Sequence, residues 1–99
     1  MEKSPLVSVL CLCYNQASFV IESLESIKNQ SYKNFEVLIC DDSSKDNSVE
    51  VVDSWIKSNP HIPTTFIKHK ENKGITKSLN ELLNLSTGKY IQLLALDDL

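Results

Sequence analysis

Glycine is scarce in this chain: its 99 residues contain two, Gly74 and Gly88. Neither the G-x-G-x-x-G dinucleotide turn nor the G-x-x-x-x-G-K-[ST] phosphate loop can be built from two isolated glycines. A phosphate bound here is therefore not cradled by a glycine-rich loop. Long apolar runs are missing as well. The longest, residues 9–13, falls far short of the ~20 residues that cross a bilayer, and no charged-then-apolar leader precedes it. The segment reads as soluble and cytoplasmic. Basic clusters are also absent, since ten basic residues are scattered among 13 acidic ones for a net charge of −3, so nucleic acid is not an expected partner. Cysteine is present in odd number, and Cys11, Cys13 and Cys40 sit inside apolar runs, which suits reduced core thiols better than a disulfide framework. There are no repeats, low-complexity tracts or linkers, and Pro60-His61-Ile62-Pro63 is a stiff turn.

What remains is one domain's worth of alternating patterns, too short for two domains. Residues 7–13, 35–40, 64–69 and 90–96 are β-branched or apolar runs of strand length. Three helical patterns lie between them. Phe19, Ile21, Leu24 and Ile27 recur at helical spacing, with Ser18 as a cap and Glu22 and Glu25 outward. Val49, Val52, Trp55 and Ile56 form a second face after Asp46, which reads as a helix cap, and Asn59-Pro60 ends it. Ile75, Leu79, Leu82, Leu83 and Leu85 form a third, ending at Gly88. The order β-α-β-α-β-α-β with nearly continuous apolar strands predicts an α/β fold: a three-layer α/β/α sandwich around a mostly parallel, doubly wound sheet. If the chain starts centrally, winds one way and returns, the first and fourth strands are neighbours at a switch point.

Tyr14-Asn15, Asp41-Asp42 and Asp97-Asp98 each follow a strand run directly, which places them at the carboxyl edge of the sheet, where open α/β sheets bind ligands. Adjacent aspartates repel one another unless a cation or hydrogen-bond donors offset the charge. Hard carboxylate oxygens suit magnesium or manganese, whose shell is commonly completed by phosphate oxygens and water. A metal-bridged diphosphate is the natural ligand. Asp42 is suited to accept hydrogen bonds from base N–H groups or ribose hydroxyls, Tyr14 to flank a base and Asn15 to tie the loop. Lys73 and Lys77, near the start of the third helix, are placed where a cation meets phosphate, although exposed helical lysines are usually a solvated face. His61 and His69 lack a partnered nucleophile or metal-ligand spacing and are read as structural.

These residues resemble the amino-terminal half of a family 2 glycosyltransferase of the GT-A fold, along almost the whole chain. The resemblance rests on Val7-Ser8-Val9 through Tyr14-Asn15, Ser23-Leu24 through Gln30-Ser31-Tyr32, residues 35–39, Asp41-Asp42-Ser43-Ser44 with Asp46, Asn72-Lys73-Gly74, Asn80, residues 87–91 and Asp97-Asp98. It implies a Rossmann-like, nucleotide-sugar-binding half in which Asp42 contacts the base, often uracil, beside the Tyr14-Asn15 loop. Asp97 would hold ribose or sugar hydroxyls, Lys77 would join the donor site, and Asp98 would coordinate a divalent metal, Mg or Mn. The implied reaction is transfer of a sugar from a nucleotide-diphosphate sugar to an acceptor hydroxyl, glycan or lipid-linked, with inversion, in a setting of polysaccharide biosynthesis. The general base is expected beyond Leu99. Residues 1–99 are accordingly expected to be one domain, the truncated donor-binding part of a larger enzyme and inactive alone, with peripheral association of the full-length protein at the inner face of the membrane left open. Leu12, Leu79 and Ala95 depart from the family's common Thr or Ser, Arg and Asp.

Two other classes compete. A receiver-like signalling module also binds magnesium at strand-end aspartates and accepts a phosphoryl group, but its acidic pair normally follows the first strand. A nucleotidyltransferase would need a glycine-rich basic loop where Cys13-Tyr14-Asn15-Gln16 stands.

Overall fold

The computed structural model describes residues 5–15 and 17–94. Four strands, β1 (Val7–Cys13), β2 (Phe35–Asp41), β3 (Thr64–Lys68) and β4 (Tyr90–Leu93), alternate with three helices, α1 (Ala17–Asn29), α2 (Ser48–Ser58) and α3 (Ile75–Leu85). All strand pairs are parallel, in the order β3-β2-β1-β4. The chain thus starts at the centre, winds outward through β2 and β3, and returns across β1 to β4, as the pattern of apolar runs predicts.

Alternation along β1 and β2 sorts the core into two layers. Val9, Cys11, Cys13, Phe35, Val37 and Ile39 point to one face and pack against Val20, Leu24 and Ile27 of α1 and Val52 and Trp55 of α2. Leu10, Leu12, Leu38 and Cys40 point to the other face and pack against Leu82 and Leu79 of α3. Burial on both faces explains why these strands read as unbroken apolar runs. The three cysteines are free and buried.

Several local expectations are corrected. α1 begins at Ala17, so Ser18 lies exposed in its first turn rather than capping it. The buried stripe of α1 is Val20, Leu24 and Ile27, with Phe19 and Ile21 half-buried. Glu25 is turned inward, because the buried Trp55 indole donates to its carboxylate at 2.7 Å. β2 runs one residue further than expected and β3 ends one residue earlier. In α3 only Ser78 and Leu82 are buried, while Ile75, Leu83 and Leu85 are exposed.

Gly88 does not terminate α3, which ends at Leu85 with Ser86 as its cap. It serves the amino edge of the sheet instead. The Gly88 N–H donates to Ser8 Oγ at 2.8 Å, Ser8 Oγ donates to Glu36 at 2.6 Å, and the same carboxylate oxygen accepts the Thr87 N–H at 2.8 Å. Burial pushes the Glu36 carboxyl up, but the Ser8 hydroxyl and the Thr87 and Gly88 donors outweigh it and hold the group below its ordinary value. A Cβ on Gly88 would lie 2.6 Å from Ser8 Oγ, 2.7 Å from Ser8 N and 2.8 Å from Leu6 O. Backbone atoms cannot give way there. Gly88→Ala is therefore expected to destabilise the fold by about 1–3 kcal/mol, read as a lower urea midpoint; an unchanged midpoint would refute the close approach.

Candidate functional site

Parallel strands with helical crossovers bring the loops after β1, β2 and β3 to one edge, and those loops need acceptors for backbone N–H groups that no strand satisfies. Asn15, held at a φ of 52°, supplies several. Its side-chain oxygen accepts from Lys45 N at 2.7 Å and Asp46 N at 3.3 Å, and its own N–H donates to Ser44 Oγ at 2.8 Å. Asp41 accepts from the Ser44 N–H at 2.9 Å and from the Ser44 hydroxyl. Asn47, not Asp46, is the N-cap of α2, but the Asp46 carboxylate just before it accepts from Ser48 N at 2.9 Å at the start of α2 and from Ala17 N at 3.4 Å at the start of α1.

Asp42 anchors the third loop. Its Oδ1 accepts from Lys73 N and from His69 Nδ1, both at 2.8 Å, and its Oδ2 accepts from Gly74 N at 2.9 Å. Gly74 adopts a φ of 92° with open space around it, so backbone conformation, not crowding, favours glycine there. A carboxylate offers about four acceptor positions. Among the described residues three are filled, and Oδ2 keeps the remaining one.

Beside Asp42 lies a cavity of about 370 Å³. Leu12 and Cys13 line it from the end of β1 with Tyr14 and Asn15 just after it, Cys40 from β2 with Asp42 just after it, and Ile75 and Ser78 from α3 with Asn72 and Gly74 just before it. Ser78 is buried against it with an Oγ that has no hydrogen-bond partner among the described residues, although it sits near enough to the Cys40 sulfur to favour the thiolate. An orphaned hydroxyl at the wall of a cavity is a ready contact for a ligand. Tyr14 is 42% exposed and so has a ring face to offer.

The sequence-derived residues therefore divide. Tyr14, Asn15 and Asp42 converge on this cavity, whereas Lys77 is exposed on α3 and does not line it. Asp97 and Asp98, with Ala95, lie outside the described residues. Leu12 walls the cavity with an aliphatic side chain, and Leu79 packs in the α3 layer.

His69 was not expected at the site and does not line the cavity, yet it holds Asp42, which does. Its side chain is 3% exposed, Nδ1 meets Asp42, and Nε2 meets Glu81 of α3 in a very short contact. The Asp42 contact raises its pKa, burial opposes this, and Glu81 adds to the rise, leaving it above 6.5. Burial raises the Asp42 carboxyl, but the Lys73 N–H, the His69 ring and the Gly74 N–H together hold it below 3.8. The signal was its position at the end of β3, the same placement that singled out Asp42. Cys40, His69 and Glu81 bring ligand-type atoms within 4.8 Å of one another. Both ring nitrogens face carboxylates, so the His69 ring bridges Asp42 and Glu81 as an ion pair.

The model of glycosyl transferase family 2 matches residues 8–99. Glycosyltransferase GlyG of Streptococcus pneumoniae serotype 4 is 33% identical over 97 residues, which is 97% of this chain and 31% of GlyG. A mannosyltransferase from Pyrobaculum calidifontis, PcManGT, solved with GDP-Man and Mn2+, superposes with a TM-score of 0.84 at 30% identity over 90% of this chain and 26% of its own. S. aureus TarS 1-349 in complex with UDP-GlcNAc gives 0.78 at 25% identity over 89% of this chain and 25% of its own. The chain spans about a third or less of these relatives.

The ionisations give the site a pH window. A raised His69 pKa contributes stability that is complete below 6.5 and is lost as pH rises through the raised value; the depressed carboxyls of Asp42 and Glu36 contribute stability present above 3.8 and 4.5 and lost as pH falls through their lowered values. Unfolding free energy is expected to be greater at about pH 5.5 than at about pH 8.5, with the alkaline decline flattened in His69→Gln. Equal denaturation midpoints at the two pH values would contradict this.

Proposed function

The chain belongs to glycosyl transferase family 2, and from that membership we propose that it is the donor-binding part of an enzyme transferring a sugar from a nucleotide-diphosphate sugar to an acceptor hydroxyl. The observation that carries the reading is the Asp42 carboxylate, pinned by three donors with one acceptor position left on Oδ2 beside the cavity. That position suits a base N–H. Tyr14 supplies a stacking face, and Asn15 keeps its loop closed over the β2–α2 loop.

We take the donor to be a UDP-sugar, although uracil and guanine both present a ring N–H next to carbonyl oxygens. Support for a nucleotide-sugar comes from TarS with UDP-GlcNAc and PcManGT with GDP-Man. The diphosphate would run toward the start of α3, where Lys77 and the positive end of the helix favour anions. Asp97 is assigned to ribose or sugar hydroxyls and Asp98 to a divalent cation, Mg or Mn. Among the described residues Asp41 and Asp42 are engaged by N–H, hydroxyl and imidazole donors, which supports assigning the cation to Asp98 as the family resemblance implies. When bound, the cation supplies positive charge against the leaving diphosphate. Direct displacement by a glycan or lipid-linked hydroxyl inverts the anomeric carbon, with the general base beyond Leu99. The same commitment of Asp41 and Asp42 speaks against the receiver-like alternative, which needs open paired carboxylates. No helix among the described residues is long and apolar enough to cross a membrane, and we place the reaction in the cytoplasm or at the inner membrane face.

The test is calorimetric titration of UDP and, separately, GDP into the full-length protein that carries this chain, with and without manganese. Asp42→Asn puts an amide group where Oδ2 or Oδ1 stood and is expected to weaken nucleotide binding about tenfold with or without metal; Asp98→Ala is expected to abolish the manganese dependence. Parental affinity in both variants would overturn the assignment.

A further inference from the structure

The donor reading rests on Asp42, whose carboxylate is held by partners of two kinds. The Lys73 and Gly74 N–H groups donate at every pH. The remaining donor, His69, is titratable, and its far nitrogen is engaged by Glu81.

We infer that His69 is a positioning residue that makes nucleotide affinity depend on pH: its imidazolium clamps the Asp42 carboxylate and ties it across the cavity wall to α3. The inference rests on the nucleotide-binding reading above. An imidazolium carries two N–H groups, one for each carboxylate, whereas the neutral ring carries one. With the remaining hydrogen on Nδ1, Glu81 faces a lone pair and α3 loses its tether. With it on Nε2, Asp42 faces the lone pair, and Oδ1 turns away, carrying Oδ2 with it because the two oxygens share a plane. Either tautomer disturbs the cavity, since Asp42 lines it from β2 and Ser78, one turn before Glu81, lines it from α3.

The groups facing the ring are few. Asp42 and Cys40 approach from β2, the Cys40 sulfur at 3.6 Å from Nε2; Glu81 approaches from α3 and Lys73 from the segment before it. The Lys73 charge favours loss of the proton and the two carboxylates oppose it. Burial pushes the Cys40 thiol up to about 11. At 3% exposure of the ring, bulk water does not replace the lost donor.

The experiment is titration of UDP, with GDP in parallel, into the full-length protein across a pH series, with the His69 ring followed by NMR. UDP affinity is expected to fall about tenfold as the ring loses its proton. Glu81→Gln, on the half-exposed side of α3 and checked for folding by circular dichroism, is expected to move both transitions to lower pH. His69→Gln, which cannot titrate, is expected to give a flat profile at the weaker affinity. Nucleotide binding that stays constant while His69 titrates overturns this inference and leaves the donor reading standing, as does a parental pH profile in His69→Gln. Absence of UDP and GDP binding at every pH overturns the donor reading and this inference together.

Discussion

Backbone N–H groups in the loops that follow parallel strands have no ladder partner, and each one buried without an acceptor costs about 1–3 kcal/mol. In this chain that demand is met by side chains. Asp41, Asp42, Asp46 and Asn15 together accept from Ser44, Lys73, Gly74, Ser48, Ala17, Lys45 and Asp46. The same negative charges that would repel one another on a bare surface are thereby spread over donors from three loops.

The two faces of the sheet are served unequally. α1 and α2 share a deep layer sealed by Trp55 and its bond to Glu25, whereas α3 covers the other face with little more than Leu79 and Leu82. The cavity opens on this thinner side. A ligand there meets one helix and the ends of two strands, so small changes in how α3 is tethered are felt directly at the cavity wall. His69 and Glu81 are the polar part of that tether; the aliphatic contacts are the rest.

The architecture was legible because nearly continuous apolar strand runs, helical-period stripes between them and right-handed crossovers leave few topologies, and the β1–β4 neighbourhood followed from the rule for returning chains. Asp42, Tyr14 and Asn15 were legible for the same reason, being strand-end residues. His69 obeyed that rule too, but it was judged by local spacing, and its partners lie 27 and 12 residues away in sequence. Gly88 read as a helix stop because glycine commonly ends helices; the crowding at Ser8, 80 residues earlier, leaves no trace in a local window. Glu25 failed similarly, since an outward helical position says nothing of an indole on the next helix.

The clasp between Ser8 and Gly88 bears on the order in which the molecule assembles. β1 is made first and gains β2 early, but its other edge waits until β4 has been synthesised. During that interval a strand with almost no polar side chain presents a free ladder of N–H and C=O groups, the feature that recruits foreign strands. The Thr87-Gly88 segment joins β4 to that edge, since it bonds to Ser8 and Glu36 just ahead of the strand. A residue that slows that joining lengthens the exposure of the central strand, and its effect would be seen in the yield of protein from the cell before any change at the cavity.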